Sequence, residues 1–444
     1  MSQAAIHNPT CETIGRGELE QLQIERLQST LNRVYRNVAF YRSAFDAHGV
    51  NLEHVKDLRA LADLPFTTKE DLRKSYPYDM FAVPLREILR IHSASVAAGQ
   101  PVVVGYTRND LRHWTECTAR VLAATGITEH DVVQIALDYS LFAGGFGFHQ
   151  GAEQIGASVI PASLTAGVDK QIAIMRDFKT TALITTPGHA ARLAAGLEDM
   201  HVHPEQLHLR LGLFGGERWG DRLRAELEER LHIRAADTYG LAEVIGPGAA
   251  GECPARCGLH INEDHFLVEV IDPNTLGPVG LGVKGELVFT TITREGFPLI
   301  RYRTGDITSL DVAPCACGRT FARMSRVEGR TDGAILFRGV VFYPAQIEAV
   351  LAEVEGATPH YQIVLGRARG EETLEVRVEV SDQIPSMDEL RTLAALRERI
   401  AARIRTVLEI DAAVSFAEPR SLRPDLPAGR QVADGKDRVL DNRC

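Results

Sequence analysis

Between residues 120 and 250 the chain alternates short apolar runs with amphipathic stretches. Val132-Val133-Gln134-Ile135-Ala136-Leu137 predicts a buried strand, as do Ala182-Leu183-Ile184-Thr185 and Leu211-Gly212-Leu213-Phe214. Between the last two, His189 to Met200 has helical character. After Phe214, Leu223, Leu227 and Leu231 recur every four residues, and Glu226 and Arg230 form an i,i+4 pair on the outer face. Strand–helix–strand alternation of this kind predicts an α/β fold, with a largely parallel sheet covered by helices.

Beyond about Asp332 the pattern changes. Pro344 to Glu353 predicts a short helix. Leu374, Val376, Val378 and Val380 alternate as a half-buried strand, and Met387 to Leu408 predicts a long helix with Leu390, Leu393, Ile400, Ile404 and Val407 inward. These elements make a small α+β domain. The expected division is a large N-terminal domain over residues 1–331 and a small C-terminal domain over 332–444. Internal repeats and low-complexity tracts are absent, and Arg423 to Gly435 is rich in Pro, Gly and Asp, which predicts a mobile segment.

A chain of 444 residues exceeds what one core usually organises, which agrees with two domains. Its 45% hydrophobic and 24% charged residues are ordinary for a globular protein. The formal charge of −10 argues against a dedicated nucleic-acid binder. Met1 to Asn32 is polar and lacks a signal-peptide run, and no apolar stretch is long enough to cross a bilayer. Seven cysteines, four of them from Cys253 to Cys317, point to reduced thiols in a cytoplasmic protein rather than a disulfide scaffold.

The most particular segments lie late in the chain. Cys315-Ala316-Cys317-Gly318-Arg319-Thr320 leads to Arg326-Val327-Glu328-Gly329-Arg330-Thr331-Asp332 and Arg338-Gly339-Val340. Upstream stand Asp237-Thr238-Tyr239-Gly240-Leu241-Ala242-Glu243 and Arg301-Tyr302-Arg303-Thr304-Gly305-Asp306. In this order they resemble the adenylate-forming enzymes, specifically the phenylacetate–coenzyme A ligase branch, from about Tyr35 to Asn442. The resemblance implies a large AMP-binding domain and a small mobile C-terminal one. It implies ATP, Mg²⁺ and coenzyme A as cofactors, a small aryl carboxylic acid as substrate, and a homodimer.

Adenylation builds negative charge around phosphorus, so it needs fixed donors, a divalent cation and a lysine. By resemblance, Glu243 holds magnesium, Tyr239 flanks adenine, and Lys436 stabilises the transition state. Asp306 and Arg330 match ribose contacts; a carboxylate is a good bidentate acceptor for a vicinal diol, and the alternative is that the two form a domain-interface salt bridge. Asp237, Gly240 and the loop Gly215-Gly216-Glu217 match the nucleotide site, although Gly-Gly after a strand is also an ordinary turn. Asp332 matches the hinge of the small domain, and Gly339 the loop brought in for thioester formation. Tyr139, Phe142, Gly144 and Phe148 match the region around the aryl group; aromatic residues after a strand also serve as core.

The match has departures. The family's phosphate loop reads roughly Ser-Ser-Gly-Thr-Thr-Gly-Lys-Pro, whereas this chain has Ala94-Ser95-Val96-Ala97-Ala98-Gly99-Gln100-Pro101. Ser95 and Gly99 remain, but two threonine hydroxyls are gone and Val96 replaces a glycine, whose positive φ a β-branched residue rarely tolerates. Ala242 removes a third hydroxyl. An ATP-independent aryl acyltransferase, an amide-forming enzyme and a non-catalytic paralogue therefore stand beside the ligase reading.

Cys253 precedes His260 by a short loop, and Cys315 and Cys317 follow much later. Two sulfur-bearing loops and a histidine can close a tetrahedral S₃N zinc site. All four positions recur in the ligase branch, and with four ligands filled the metal would be structural. Cys257 is an extra thiol that could substitute for a ligand. Buried free cysteines are the alternative.

Overall fold

The computed structural model describes residues 6–94, 100–141, 144–331, 333, 335–338, 340–354, 356–358, 360–368, 371–379, 387–417, 422, 432–434 and 438–439. The chain divides into two compact units between Asp332 and Gly333.

The first unit is built on a nine-stranded sheet. The apolar runs form strands Val132–Ile135, Ala182–Thr185 and Leu211–Gly215, which pair in parallel with one another and with Ser158–Pro161 and Arg234–Leu241. Ala182–Thr185 is buried along its whole length, because helices cover both faces of a parallel sheet. The helix expected from His189 runs from Pro187 to Asp199; Thr186 caps it through the His189 N–H and Pro187 supplies the fixed φ of a first helical residue. In helix Asp221–Leu231 the predicted leucines are buried and Arg230 reaches Glu226 at 2.9 Å.

Beyond Leu241 the sheet changes sense. Gly246–Glu252, Leu259–Ile261, Arg323–Met324 and Leu310–Asp311 continue it antiparallel. A second sheet of four strands, Phe266–Ile271, Gly285–Thr291, Tyr302–Thr308 and Gly329–Arg330, is antiparallel throughout. The expectation of largely parallel sheets thus holds for only part of the unit. Connections here are turns and loops without crossover helices, and a parallel return needs a dozen or more residues.

The second unit has a five-stranded sheet in the order Ala413–Ala417, Glu371–Glu379, Tyr361–Ala368, Val432–Asp434, Arg438–Val439. Helices Pro344–Glu353 and Met387–Leu408 take the predicted spans. Ile400 and Ile404 are fully buried as expected, joined by Leu396 and Leu408; Leu393 and Val407 are half-buried. The side chains of Leu390 and Val380 lie outside the described residues. Among the described residues no helix is long and apolar enough to cross a membrane.

Candidate active site

Strand Tyr302–Thr308 pairs with Gly329–Arg330 in a register that sets Asp306 directly opposite Arg330. Arg330 Nη1 donates to Asp306 Oδ1 at 2.6 Å and Nη2 to the Thr304 carbonyl at 2.9 Å. The Tyr239 hydroxyl donates to Asp306 Oδ2, also at 2.6 Å. Both carboxylate oxygens are thus held by a charged or hydroxyl donor at 5% exposure of the residue, which fixes the plane of the carboxylate. Burial first, and the adjacent Asp306 charge second, push the Tyr239 phenol well above its usual range, so it remains a donor. Its ring lies parallel to Phe289, centroids 6.2 Å apart.

Tyr239 lies near the end of strand Arg234–Leu241, and Glu243 lies within the turn that leads from it to strand Gly246–Glu252. The pairing of these strands shifts register between Tyr239 and Leu241. At the shift stands Gly240, where a Cβ would meet the Gly246 carbonyl at 2.1 Å; the glycine is required by this close approach whatever else it contacts. Glu243 is almost fully buried, and Lys69 Nζ lies 3.4 Å from its Oε1. Lys69 was not among the residues singled out by the sequence motifs. The local signal is a capping box, Thr68 with Asp71, that starts helix Lys69–Lys74 at this lysine.

Gly215 ends its strand and Gly216 takes φ +77°. The Glu217 carboxylate accepts the Gly188 N–H at 2.9 Å, so it braces the start of helix Pro187–Asp199. Asp237 lies within a charged cluster: Arg326 Nε is 3.5 Å away, and its own N–H donates to Glu252, which Arg224 grips through two bonds of 2.7 and 3.1 Å. Burial raises the Asp237 carboxyl to about 7.

Near the matched aryl region, helix Gly144–Ile155 presents two faces. Phe148 turns inward at 2% exposure among Val121, Leu122, Val133 and Ile135, in a cluster against which Tyr139 also packs. Phe146 lies beside Tyr139 as well, centroids 5.3 Å apart and edge-on. Helix geometry explains the two directions: residues two apart project to different faces once the helix starts at Gly144. Gly145 leaves room for Tyr139, whose ring would be 2.7 Å from a Cβ there. His92 and Arg90 reach Phe146 as well, at 5.7 and 5.0 Å. Ser95, Gly99, Phe142, Asp332, Gly339 and Lys436 lie outside the described residues.

Cys253, His260, Cys315 and Cys317 converge so that their ligand atoms all lie within 4.8 Å of one another. Cys253 Sγ is 3.7 Å from Cys315 Sγ, and Cys317 Sγ is 3.3 Å from His260 Nε2. Two thiolates on one tetrahedral zinc sit about 3.8 Å apart at a Zn–S length of about 2.3 Å, so these spacings fit. His260 Nδ1 donates to the Phe321 carbonyl at 3.2 Å, which leaves Nε2 as the ligating nitrogen. The Cys253 thiol donates to Cys317, which lowers Cys317, with His260 assisting, and raises Cys253. Cys257 is exposed, with Sγ 3.6 Å from Cys315. Every cysteine among the described residues is free.

A mixed α/β domain with a braced carboxylate beside a Tyr-Gly turn, followed by a small α+β unit, defines the class of AMP-binding, adenylate-forming enzymes. Residues 111–293 match the AMP-binding enzyme family and 339–443 the AMP-binding enzyme C-terminal domain. Within that class the chain belongs to the phenylacetate–coenzyme A ligase family. It is 42% identical to the phenylacetate–coenzyme A ligase of Thermus thermophilus over 99% of this chain and 100% of that one. To the ligase of Escherichia coli it is 43% identical over 84% of each chain. Among solved structures, a 2-hydroxyisobutyryl-CoA ligase in complex with 2-HIB-AMP and CoA superposes with a TM-score of 0.88 at 28% identity, covering 96% of this chain and 91% of that one.

Proposed function

We propose that this protein is an AMP-forming acid–thiol ligase that joins phenylacetate, or a close relative such as indoleacetate, to coenzyme A at the expense of ATP. An oxygen of the aryl acid carboxylate attacks the α-phosphorus of ATP and pyrophosphate leaves. The thiol sulfur of coenzyme A then attacks the acyl carbon, its proton is released to solvent, and AMP leaves with the electrons of the broken acyl–oxygen bond.

In this reading Asp306 accepts from the ribose hydroxyls, held in plane by Tyr239 and Arg330. Glu243 would carry the magnesium ion, which when bound neutralises phosphate charge. The Gly215-Gly216 loop and Asp237 border the purine, and Tyr139 with Phe146 would face the aryl ring. Lys436 is proposed for the α-phosphate, Asp332 for the hinge and Gly339 for the thioester step, from their places in the motifs. Cys253, His260, Cys315 and Cys317 would hold zinc with no open position, which makes that ion a brace for three segments of the first unit and not a catalyst.

The observation that carries the reading is the Asp306 carboxylate, braced from two sides and placed in register with Arg330, in a chain with full-length ligase relatives. Incubating the protein with Mg–ATP, CoA and a panel of aryl acids tests it. Pyrophosphate, AMP and an aryl-CoA thioester should form in equal amounts. Acyl transfer from aryl-CoA without nucleotide, and no pyrophosphate with any acid, would instead support the acyltransferase.

A further inference from the structure

Glu243 is a carboxylate removed almost wholly from water, with 6% of its side chain exposed, and Lys69 Nζ is its ion-pair partner at 3.4 Å. A buried charge needs a counter-charge. Yet this pair is slack, since charge-assisted hydrogen bonds close to about 2.7–2.9 Å. A lysine ammonium is a point charge on a flexible stem, so it can change partner without any movement of its backbone.

That backbone is firmly mounted. Two residues before Lys69, Thr67 N donates to the Arg301 carbonyl at 3.0 Å and Thr67 O accepts from Arg303 N at 2.9 Å. Thr67 Oγ1 donates to the Ile300 carbonyl at 2.6 Å, and Tyr41 OH lies 3.1 Å from the same hydroxyl. Thr68 and Asp71 then fix the start of helix Lys69–Lys74. Arg303 belongs to strand Tyr302–Thr308, which also carries Asp306. The lysine is therefore mounted on the strand that bears the braced carboxylate, while Glu243 follows Tyr239, which bonds that carboxylate. Meanwhile the sequence 95–99 has lost two hydroxyls that the family pattern assigns to phosphate.

The geometry points to Lys69 as a phosphate-binding residue of this site. It neutralises Glu243 in the free protein, yields the carboxylate to the divalent cation that accompanies a nucleoside triphosphate, and turns its ammonium to a phosphate oxygen. This assignment rests on the adenylating reading above and supplies a phosphate donor separate from loop 95–99 and from Lys436.

The test compares two ligands in one calorimetric experiment: Mg–ATP, which has phosphates, and adenosine, which has none. Lys69→Met should raise the Kd for Mg–ATP about ten- to a hundredfold, in keeping with the loss of one charge-assisted bond, and leave adenosine affinity unchanged. Lys69→Arg, which keeps the charge, should recover most of that loss and serves also if the methionine variant folds poorly. Equal weakening of both ligands would mean that Lys69 only supports the fold, and unchanged Mg–ATP affinity would remove it from the site; either overturns the assignment. Wild-type protein that binds adenosine but not Mg–ATP would overturn the adenylating reading together with it.

Discussion

Tyr239 donates its hydroxyl proton to Asp306 Oδ2 at 2.6 Å, while Arg330 holds the other oxygen of the same carboxylate at the same distance. The tyrosine of the Tyr-Gly motif is thereby a positioning group for the carboxylate. Hydrogen bonds to a charged group contribute about 1.5–3 kcal/mol. Tyr239→Phe keeps the ring and deletes that bond. It should raise the Kd for AMP by about tenfold or more, with Tm almost unchanged, as measured by calorimetry and thermal unfolding. Unaltered AMP affinity would separate Asp306 from nucleotide binding.

The sulfur cluster predicts a stoichiometry. Metal analysis of the purified protein should find about one zinc per chain, the capacity of one four-ligand site. Cys315→Ser and Cys253→Ser should lose it and unfold at lower temperature. Cys257→Ser should keep it, because Cys257 is exposed and lies beyond the four convergent ligands. Zinc lost from the Cys257 variant and retained by the Cys253 variant would reassign the ligand set.

Asp237 gives the protein a pH signature. Its carboxyl is raised to about 7 in the fold, chiefly by burial, against about 3.9 in an unfolded chain. Between those values the folded state keeps a proton that the unfolded state releases, so this group makes stability fall as pH rises, by at most about 1.4 kcal/mol per unit. Asp237→Asn removes the titration. The Tm advantage of the variant over the wild type should be small at pH 4, grow through the window and level off above pH 7. A pH-independent difference would place the carboxyl in its ordinary range.

The parallel half of the large sheet was legible because its strands are apolar runs and its helices carry leucines at four-residue spacing. The antiparallel sheet was not. Charges on and beside its strands pair off, Arg301 with Glu269 at 2.9 Å and Arg303 with Glu286 at 2.6 Å, which lets Arg301 and Glu286 be buried. In the sequence such residues look exposed, and only the pairing hides them. Asp306, Arg330, Tyr239 and the four metal-type residues were legible as motifs, yet their mutual distances depend on register. The inward turn of Phe148 is not legible, because nothing in the sequence fixes which face of its helix meets the core. Lys69 carries no functional signal in the sequence, because its significance lies in one contact with Glu243, far along the chain.

Calorimetric titration of the intact protein with Mg–ATP tests the central claim most directly, since ligation through an adenylate requires nucleotide affinity. Saturable binding at one site per chain, weakened in Asp306→Ala and Glu243→Ala, is the predicted result. Folded wild-type protein that takes up no nucleotide would contradict it.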